Sequence, residues 1–449
     1  MRACPEEQND ERARSSVVER QPFKLCVDGS IPSGLTIIMN TKNVGYLPND
    51  KTVALSSQIK LFRNRAKSYL PNASYVMLYH HPTKKLIAAP PEYALSSQIS
   101  HAIDYASGMF EGGSAMVNET TGIPHVILHQ PRLNRLFNRS LPSRGYKSPV
   151  SQAFLSQAIL DIVAINGLEL FQNPDPKSKN KYVRAYIRPT IHPAPIAGYG
   201  ISMRIDYPID AAIITWSWPD YLDPGIYTDG AVAAITGHQR LFKISGKNSS
   251  NYGQGVIDGT VVRKMGDDEL IYLAPYLKRK TGGVYYHDPN DIDSKLKDGV
   301  LCDGPGEELF SLSKDGQTLV YNPMKSNRLG GTVLQYFIDH LLPALKLKSK
   351  QDDISLHDIR VGKYSAIGML GNAVKVAPIR KIKLYKDEKV IEEYEFYKKG
   401  SMPATLQLLI NRWDQETRGL VKPSHHSLTT PVNLKNGKIL RNKLDSIFH

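Results

Sequence analysis

From Tyr75 onward the apolar positions fall into short runs and alternations that predict strands, interrupted by helical repeats. YVMLY, the polar turn HHPTKK and LIAA predict a β-hairpin. Leu155, Ile159, Ile162 and Val163 share one face of a helix predicted over 151–165, with Asn166-Gly167 as its stop. After the polar loop at 174–181, KYVRAYIRP predicts a strand, and AAIITWSW at 211–218 reads as a buried one. Around Pro219–Gly225 the Pro and Gly content shifts, which marks the best interdomain boundary.

Beyond it, GVLCD at 299–303 runs into Gly304-Pro305-Gly306, and LFSL, SKDG and QTLVY predict a hairpin closed by an Asp-Gly turn. Gly330-Gly331-Thr332 precedes a helix whose Val333, Phe337 and Leu341 repeat every four residues and which Pro343 should limit. A late helix is expected over 404–416, and the basic tail 420–449 reads as loosely ordered. The first 70 residues form a polar extension with an amphipathic helix around Leu55, Ile59 and Phe62. ALSSQI occurs at 54–59 and 94–99, too short a match to define a repeat architecture.

At 449 residues the chain exceeds the ~100–200 of one domain, so two or three are expected. With 41% hydrophobic and 22% charged residues it reads as a globular protein, and no run approaches the ~18 apolar residues of a membrane span. The net charge of +14 favours an anionic partner, from a nucleic acid to a small phosphorylated ligand. Cys4, Cys26 and Cys302 form no CxxC pair, which disfavours a disulfide scaffold and a zinc site. The N-terminal MRACPEEQNDERARSS lacks an apolar stretch, so neither a secretory signal nor a transit peptide is expected and the chain is read as cytoplasmic.

Several segments could carry chemistry. GKNSSNYGQG at 246–255 sets Lys247 among small residues, where burial would lower its pKa and make it a nucleophile; Lys243 lies close by and stays open at this point. The glycines before the 332 helix leave N–H groups for a phosphate, although glycine and threonine also serve simply as caps. Arg135 in PRLNRLFNRS could be a surface arginine. Adjacent His80-His81 and His425-His426 point to different faces of a strand, and no carboxylate stands at ligand spacing, so no metal centre is expected. There is no GxSxG elbow, no P-loop, no helix-opening GxGxxG and no nucleic-acid module.

Taken in order, these segments resemble the branched-chain aminotransferase family, the class IV pyridoxal-phosphate enzymes. ISHAIDYASGMFEG at 99–112 resembles SHAxxYGxxxFEG, RLNRLFNRS at 132–140 the RLxxSA helix, and YIRP at 186–189 the family's own YIRP. KNSSNY at 247–252 matches KxxGNY in its lysine-to-Asn-Tyr spacing, DGPGEELF at 303–310 resembles EGAGENLF, RLGGTV at 328–333 resembles LPGITR, and GNAVKVAPI at 371–379 resembles GTAxEVxPV. The resemblance spans about 75–418.

It implies an α/β (α+β) fold of two domains: a small α/β domain over 71–218 and a larger pseudo-barrel domain over 219–419, with 1–70 as an N-terminal extension and 420–449 as a basic tail. It also implies a homodimer acting on an amino acid and a 2-oxo acid, with no nucleic-acid or membrane partner. The implied cofactor is pyridoxal 5'-phosphate, joined to Lys247 as a Schiff base. Arg135, Gly331, Thr332 and Asn372 would hold its phosphate, Tyr252 its phenolic oxygen and Asp303 its ring nitrogen. The substrate would meet Tyr105, Phe110, Tyr186, Arg188, Tyr221 and the backbone of Ala373.

The expected reaction transfers an amino group between a branched-chain amino acid and 2-oxoglutarate. A class IV lyase, a D-amino acid transaminase and a silent relative acting as a binding protein are the alternatives. The chain departs from the pattern at Asp303 for Glu, Asn372 for Thr, Glu308 for Asn, Asn-Ser-Ser after Lys247, and a charged insertion over 258–298.

Overall fold

The computed structural model describes residues 70, 72–94, 100–173, 175, 181–194, 206–240, 246–278, 284–286 and 290–448. Val53–Ser446 forms one compact unit. The amphipathic helix expected near 55–62, the first copy of ALSSQI, all of the second but Ala94, and Lys243 lie outside the described residues.

The first sheet is antiparallel throughout and contains the strands β1 (Val76–His80), β2 (Lys85–Ala89), β3 (Met109–Phe110), β4 (Gly113–Val117), β5 (Pro124–Ile127), β6 (Ala185–Pro193) and β7 (Ile209–Ser217). The hairpin predicted from YVMLY and LIAA is β1–β2, in register from Val76↔Ala89 to His80↔Lys85. The central strands β6 and β7 pair over nine residues. Strand β7 is not buried on both faces as AAIITWSW suggested. Ala211, Ile213, Thr215 and Ser217 are buried, while the alternate residues are half-buried. The apolar run hid the alternation because Ile214 and Trp216 are apolar too, although they stand on the face shared with Tyr186 and Arg188.

The helix Gln152–Asn166 covers the other face, burying Leu155, Ile159, Ile162 and Val163. By length and composition alone it could span a membrane together with its extension to Phe171. Its last residue, the fully buried Asn166, instead ties it into the sheet: Oδ1 accepts from the Ser74 and Tyr75 amides, and Nδ2 donates to Tyr75 O and to Thr215 Oγ1.

The second large sheet mixes parallel and antiparallel pairs. Its strands are β8 (Ala231–Ile235), β9 (Glu269–Leu270), β13 (Glu308–Ser313), β14 (Thr318–Tyr321), β15 (Lys348–Gln351), β16 (Tyr364–Gly371), β17 (Lys375–Lys386) and β18 (Lys389–Glu395). A three-stranded sheet of β10 (Leu273–Lys278), β11 (Val284–Tyr286) and β12 (Gly299–Leu301) stands beside it. The predicted Asp-Gly hairpin is β13–β14, and Gly316 supplies the positive φ of its turn. Phe310, Phe337, Leu406 and Trp413 fill one core of this part, and Ile367, Ile379 and Leu384 another.

Pro343 limits the 332 helix as expected: Thr332–Tyr336 runs through a π turn over Phe337–Leu341 into Leu342–Ala344 and stops one residue past the proline. The expectation for the tail is corrected. The tail is ordered, adding the strand β19 (Thr429–Pro431) to β5 and a helix over Leu434–Phe448. Gly437 lets that helix lie directly on the Ala164 carbonyl, where any Cβ would collide, and Arg441–Glu169 at 2.7 Å fastens it.

Candidate active site

The Lys247 segment is zipped onto the end of β3. The Phe110 amide donates to Lys247 O at 3.1 Å, and the Ser249 amide donates to Gly108 O at 2.9 Å. Gly246 is needed for a close approach, since a Cβ there would lie 2.5 Å from the Ser140 Cα. Asn248 caps the helix Ser249–Lys264 by accepting from the Asn251 amide. One turn into that helix the Tyr252 hydroxyl meets Lys247 Nζ. Burial, followed by the charge of Arg135, pulls the Lys247 amine down to about 8, and burial pushes the Tyr252 phenol up to about 12.

A cleft partly open to solvent extends from this pair. At one end stands Asp303, whose Oδ2 accepts the Leu329 amide at 2.9 Å and whose buried Oδ1 has no partner. Arg240 pins the loop beside it by donating to Gly304 O and Pro305 O, with Nη1 4.0 Å from Asp303 Oδ2. Burial first, and the neighbouring Glu308 second, raise the Asp303 carboxyl, against the pull of Arg240.

At the other end Gly331 and Thr332 open the helix, and Arg135 enters from the helix His129–Arg135. Arg135 is already forked onto Glu111, at 2.9 Å through Nε and 2.7 Å through Nη2. Burial alone would lower its pKa, but Glu111 holds it above the ordinary value. Glu308 occupies the same end: Oε1 accepts from Arg328 and the Gly330 amide, while Oε2 is bare. Ser114 Oγ donates to Asn372 Oδ1 at 2.7 Å, leaving the buried Asn372 Nδ2 free, and Arg184 donates to the Asn372 carbonyl.

A wider adjoining cavity shares Lys247, Tyr252, Glu307 and Asn372 and is lined by Phe110, Tyr186, Trp218, Tyr221 and Ala373. Arg188 also faces it, donating to the Tyr186 hydroxyl at 2.9 Å with its guanidinium 4.2 Å from the Phe110 ring centroid.

No family model matches the chain, and no curated protein matches it. Solved structures do. The Escherichia coli branched-chain amino acid aminotransferase superposes with a TM-score of 0.60 at 21% identity, covering 80% of this chain and 100% of that one. This chain has the fold of the branched-chain amino acid aminotransferases. The Thermoproteus uzoniensis branched-chain aminotransferase with norvaline matches at TM-score 0.58 and 20% identity, covering 80% of this chain and 99% of that one. The Thermobaculum terrenum aminotransferase in its PLP-form matches at 0.57 and 15%, covering 81% and 99%.

Within this aminotransferase fold, Arg135, Lys247, Tyr252, Asp303, Gly331, Thr332 and Asn372 surround the smaller cavity. Phe110, Tyr186, Arg188, Tyr221 and Ala373 surround the larger one. Tyr105 lines neither; it is 38% exposed and stands edge-on to His101. Sequence reasoning passed over Glu111, Arg132, Arg240, Glu307 and Arg328. Arg132 had two signals in the sequence: it opens the segment matched to RLxxSA, and the i, i+3, i+7 spacing of Arg132, Arg135 and Arg139 marks an arginine face.

Removing one partner of the buried Glu111–Arg135 pair leaves an uncompensated charge. Glu111→Gln should cost about 3 kcal/mol in urea unfolding at pH 7, and the double variant Glu111→Leu/Arg135→Met should recover most of it. A loss below about 1 kcal/mol would show that the pair is not what holds this end of the cleft.

Proposed function

We propose that the protein is a pyridoxal-phosphate-dependent aminotransferase that moves an amino group between a branched-chain amino acid and 2-oxoglutarate. The observation that carries this reading is the buried Lys247 amine, lowered to about 8 and held against Tyr252, in a cavity ending in a bare Asp303 oxygen on one side and arginine, asparagine and glycine donors on the other. The set fits a phosphorylated pyridine aldehyde: an amine for the aldehyde, a phenol for the ring hydroxyl, a carboxylate for the ring nitrogen and, at the far end, asparagine and helix-start donors beside the arginine charge for the phosphate. When bound, the cofactor supplies an electron sink for the charge released when the substrate Cα loses its proton.

The chain's own residues do the rest. Lys247 would hold the cofactor's aldehyde carbon through its neutral amine, water leaving, and once displaced by the substrate's amino group would carry the proton from and to the substrate Cα. Tyr252 orients that amine by its hydroxyl. Asp303, raised by burial in the cleft, would be drawn to its carboxylate form by a protonated ring nitrogen and accept its hydrogen bond, with Arg240 fixing the loop. Phe110, Tyr186, Trp218 and Tyr221 give apolar walls for a branched side chain. Arg188 offers glutamate's distal carboxylate a guanidinium fork whose Nε is bare.

In this reading 71–218 is the small domain and 219–419 the cofactor-holding one. The enzyme works as a homodimer, supported by the exposed apolar Ile103, Val256 and Ile257 and by Tyr105, which then serves the partner's site.

Uptake of pyridoxal phosphate by the stripped protein should accelerate about tenfold per pH unit below pH 8 and level off above it, because only the neutral amine reacts. Stopped-flow absorbance measures this, and borohydride followed by peptide mass spectrometry should label Lys247. Label on Lys243, or undiminished labelling in Lys247→Ala, would contradict the assignment. Arg188→Ala should slow the half-reaction with glutamate about tenfold to a hundredfold more than that with leucine. Equal losses in single-turnover measurements would make Arg188 a packing residue.

A further inference from the structure

One wall of the wider cavity is a single face of the helix Ser249–Lys264. Tyr252, Gly255, Val256 and Arg263 line it, and Gly259 stands between the last two on the same face. Gly259 lies seven residues, or about 10 Å, beyond Tyr252 along the helix axis. A leucine or glutamate side chain held at Lys247 ends well short of that level. Arg263 does not extend into solvent. A Cβ on Gly259 would lie 3.2 Å from its Nη1, and its Nη2 donates to Thr260 Oγ1 at 3.1 Å, so the guanidinium folds back along the helix over Gly259 and faces the cavity. Among the described residues no carboxylate forms an ion pair with it.

Two groups from other elements line the same cavity. Tyr221, from the loop after β7, stands edge-on to Trp218. Glu307, just before β13, is buried, with Oε2 accepting the Gly306 amide at 3.0 Å and Oε1 without a partner. Burial raises its carboxyl above the ordinary value, so beside an anion it can serve as a hydrogen-bond donor. Lys247 aside, the charged side chains lining this cavity are two guanidinium groups, from Arg188 and Arg263, and the one acid of Glu307. That balance favours an anion. Arg188 stands inward, against Phe110 and Tyr186; Arg263 stands at the outer end.

We infer that Arg263 is a second, outer anchor of the substrate cavity, taking the terminal carboxylate of an amino acid or 2-oxo acid whose side chain is longer than that of glutamate. Tyr221 and Glu307 flank that carboxylate, and the methylenes between its ends lie along Trp218 and Val256. The inference rests on the aminotransferase reading and adds a class of substrate to it, the straight-chain dicarboxylic amino acids. Such a substrate gives its amino group to the cofactor and leaves as its 2-oxo acid. The water released on joining is taken back on release, so no oxidant or other reactant enters.

Single-turnover reactions of the loaded full-length enzyme with leucine, glutamate, 2-aminoadipate, 2-aminopimelate and 2-aminosuberate test it, together with calorimetric binding of octanedioate, which needs no chemistry. In the wild type the second-order rate constant should rise from glutamate to 2-aminopimelate or 2-aminosuberate. Arg263→Gln should lower the ratio of 2-aminopimelate to leucine about tenfold and weaken octanedioate about as much. Arg263→Lys should lower both about threefold, since lysine keeps the charge without the fork. Arg263 is exposed near a helix end, so neither substitution empties a core. An unchanged ratio in Arg263→Gln, equal losses with leucine and the long donors, or long dicarboxylates slower than glutamate in the wild type overturns the inference and leaves the functional reading standing. A preference for ornithine or lysine that Glu307→Gln removes overturns it too, by making the outer end a cation site. Wild type that moves no amino group from any donor yet binds octanedioate through Arg263 upholds the anchor and sinks the functional reading. Wild type that does neither sinks both.

Discussion

The fork between Glu111 and Arg135 is the contact on which the cleft depends. Glu111 follows β3, the strand that carries Phe110 and is bonded to the Lys247 segment; Arg135 ends the helix that, with the π turn after it, brings three arginines to the same place. Joining them fixes the lysine strand, the arginine helix and, through Gly330, the start of the 332 helix relative to one another. A buried bidentate pair does this better than apolar packing, because its geometry is directional and breaking it strands a charge in a low dielectric.

The rest of the cleft follows the same logic with different balances. Where a charge is met, as in Arg328 with Glu308, the contact is structural. Where it is not, as at Lys247, Asp303 and Arg132, the pKa moves or a donor stays bare, and these are the groups left for chemistry and ligand binding. Substituting Glu for Asn at 308 and placing Arg at 328 fit together: Glu308 adds a carboxylate to the cleft and Arg328 neutralises it.

Much of this architecture was legible in the sequence because it rests on local signals. The β1–β2 hairpin, the Gln152–Asn166 helix and the Asp-Gly turn at 315–316 each have a strong period or turn residue. Lys247 and Tyr252 were legible because five residues across a helix start bring them together. What escaped depends on distant contacts. The tail reads as loose because Leu434, Leu440 and Leu444 are sparse among lysines, and its order comes from Gly437 settling on Ala164. Glu111 and Arg240 acquire meaning only from partners far along the chain, which no spacing encodes.

The central claim is that this buried cleft moves amino groups. Incubating the pyridoxal-phosphate-loaded protein with ¹⁵N-leucine and unlabelled 2-oxoglutarate, and following the label by NMR, tests it directly. The account predicts ¹⁵N-glutamate and unlabelled 4-methyl-2-oxopentanoate forming in equal amounts. Stably bound cofactor with no label leaving leucine, or labelled ammonia in place of glutamate, would contradict it.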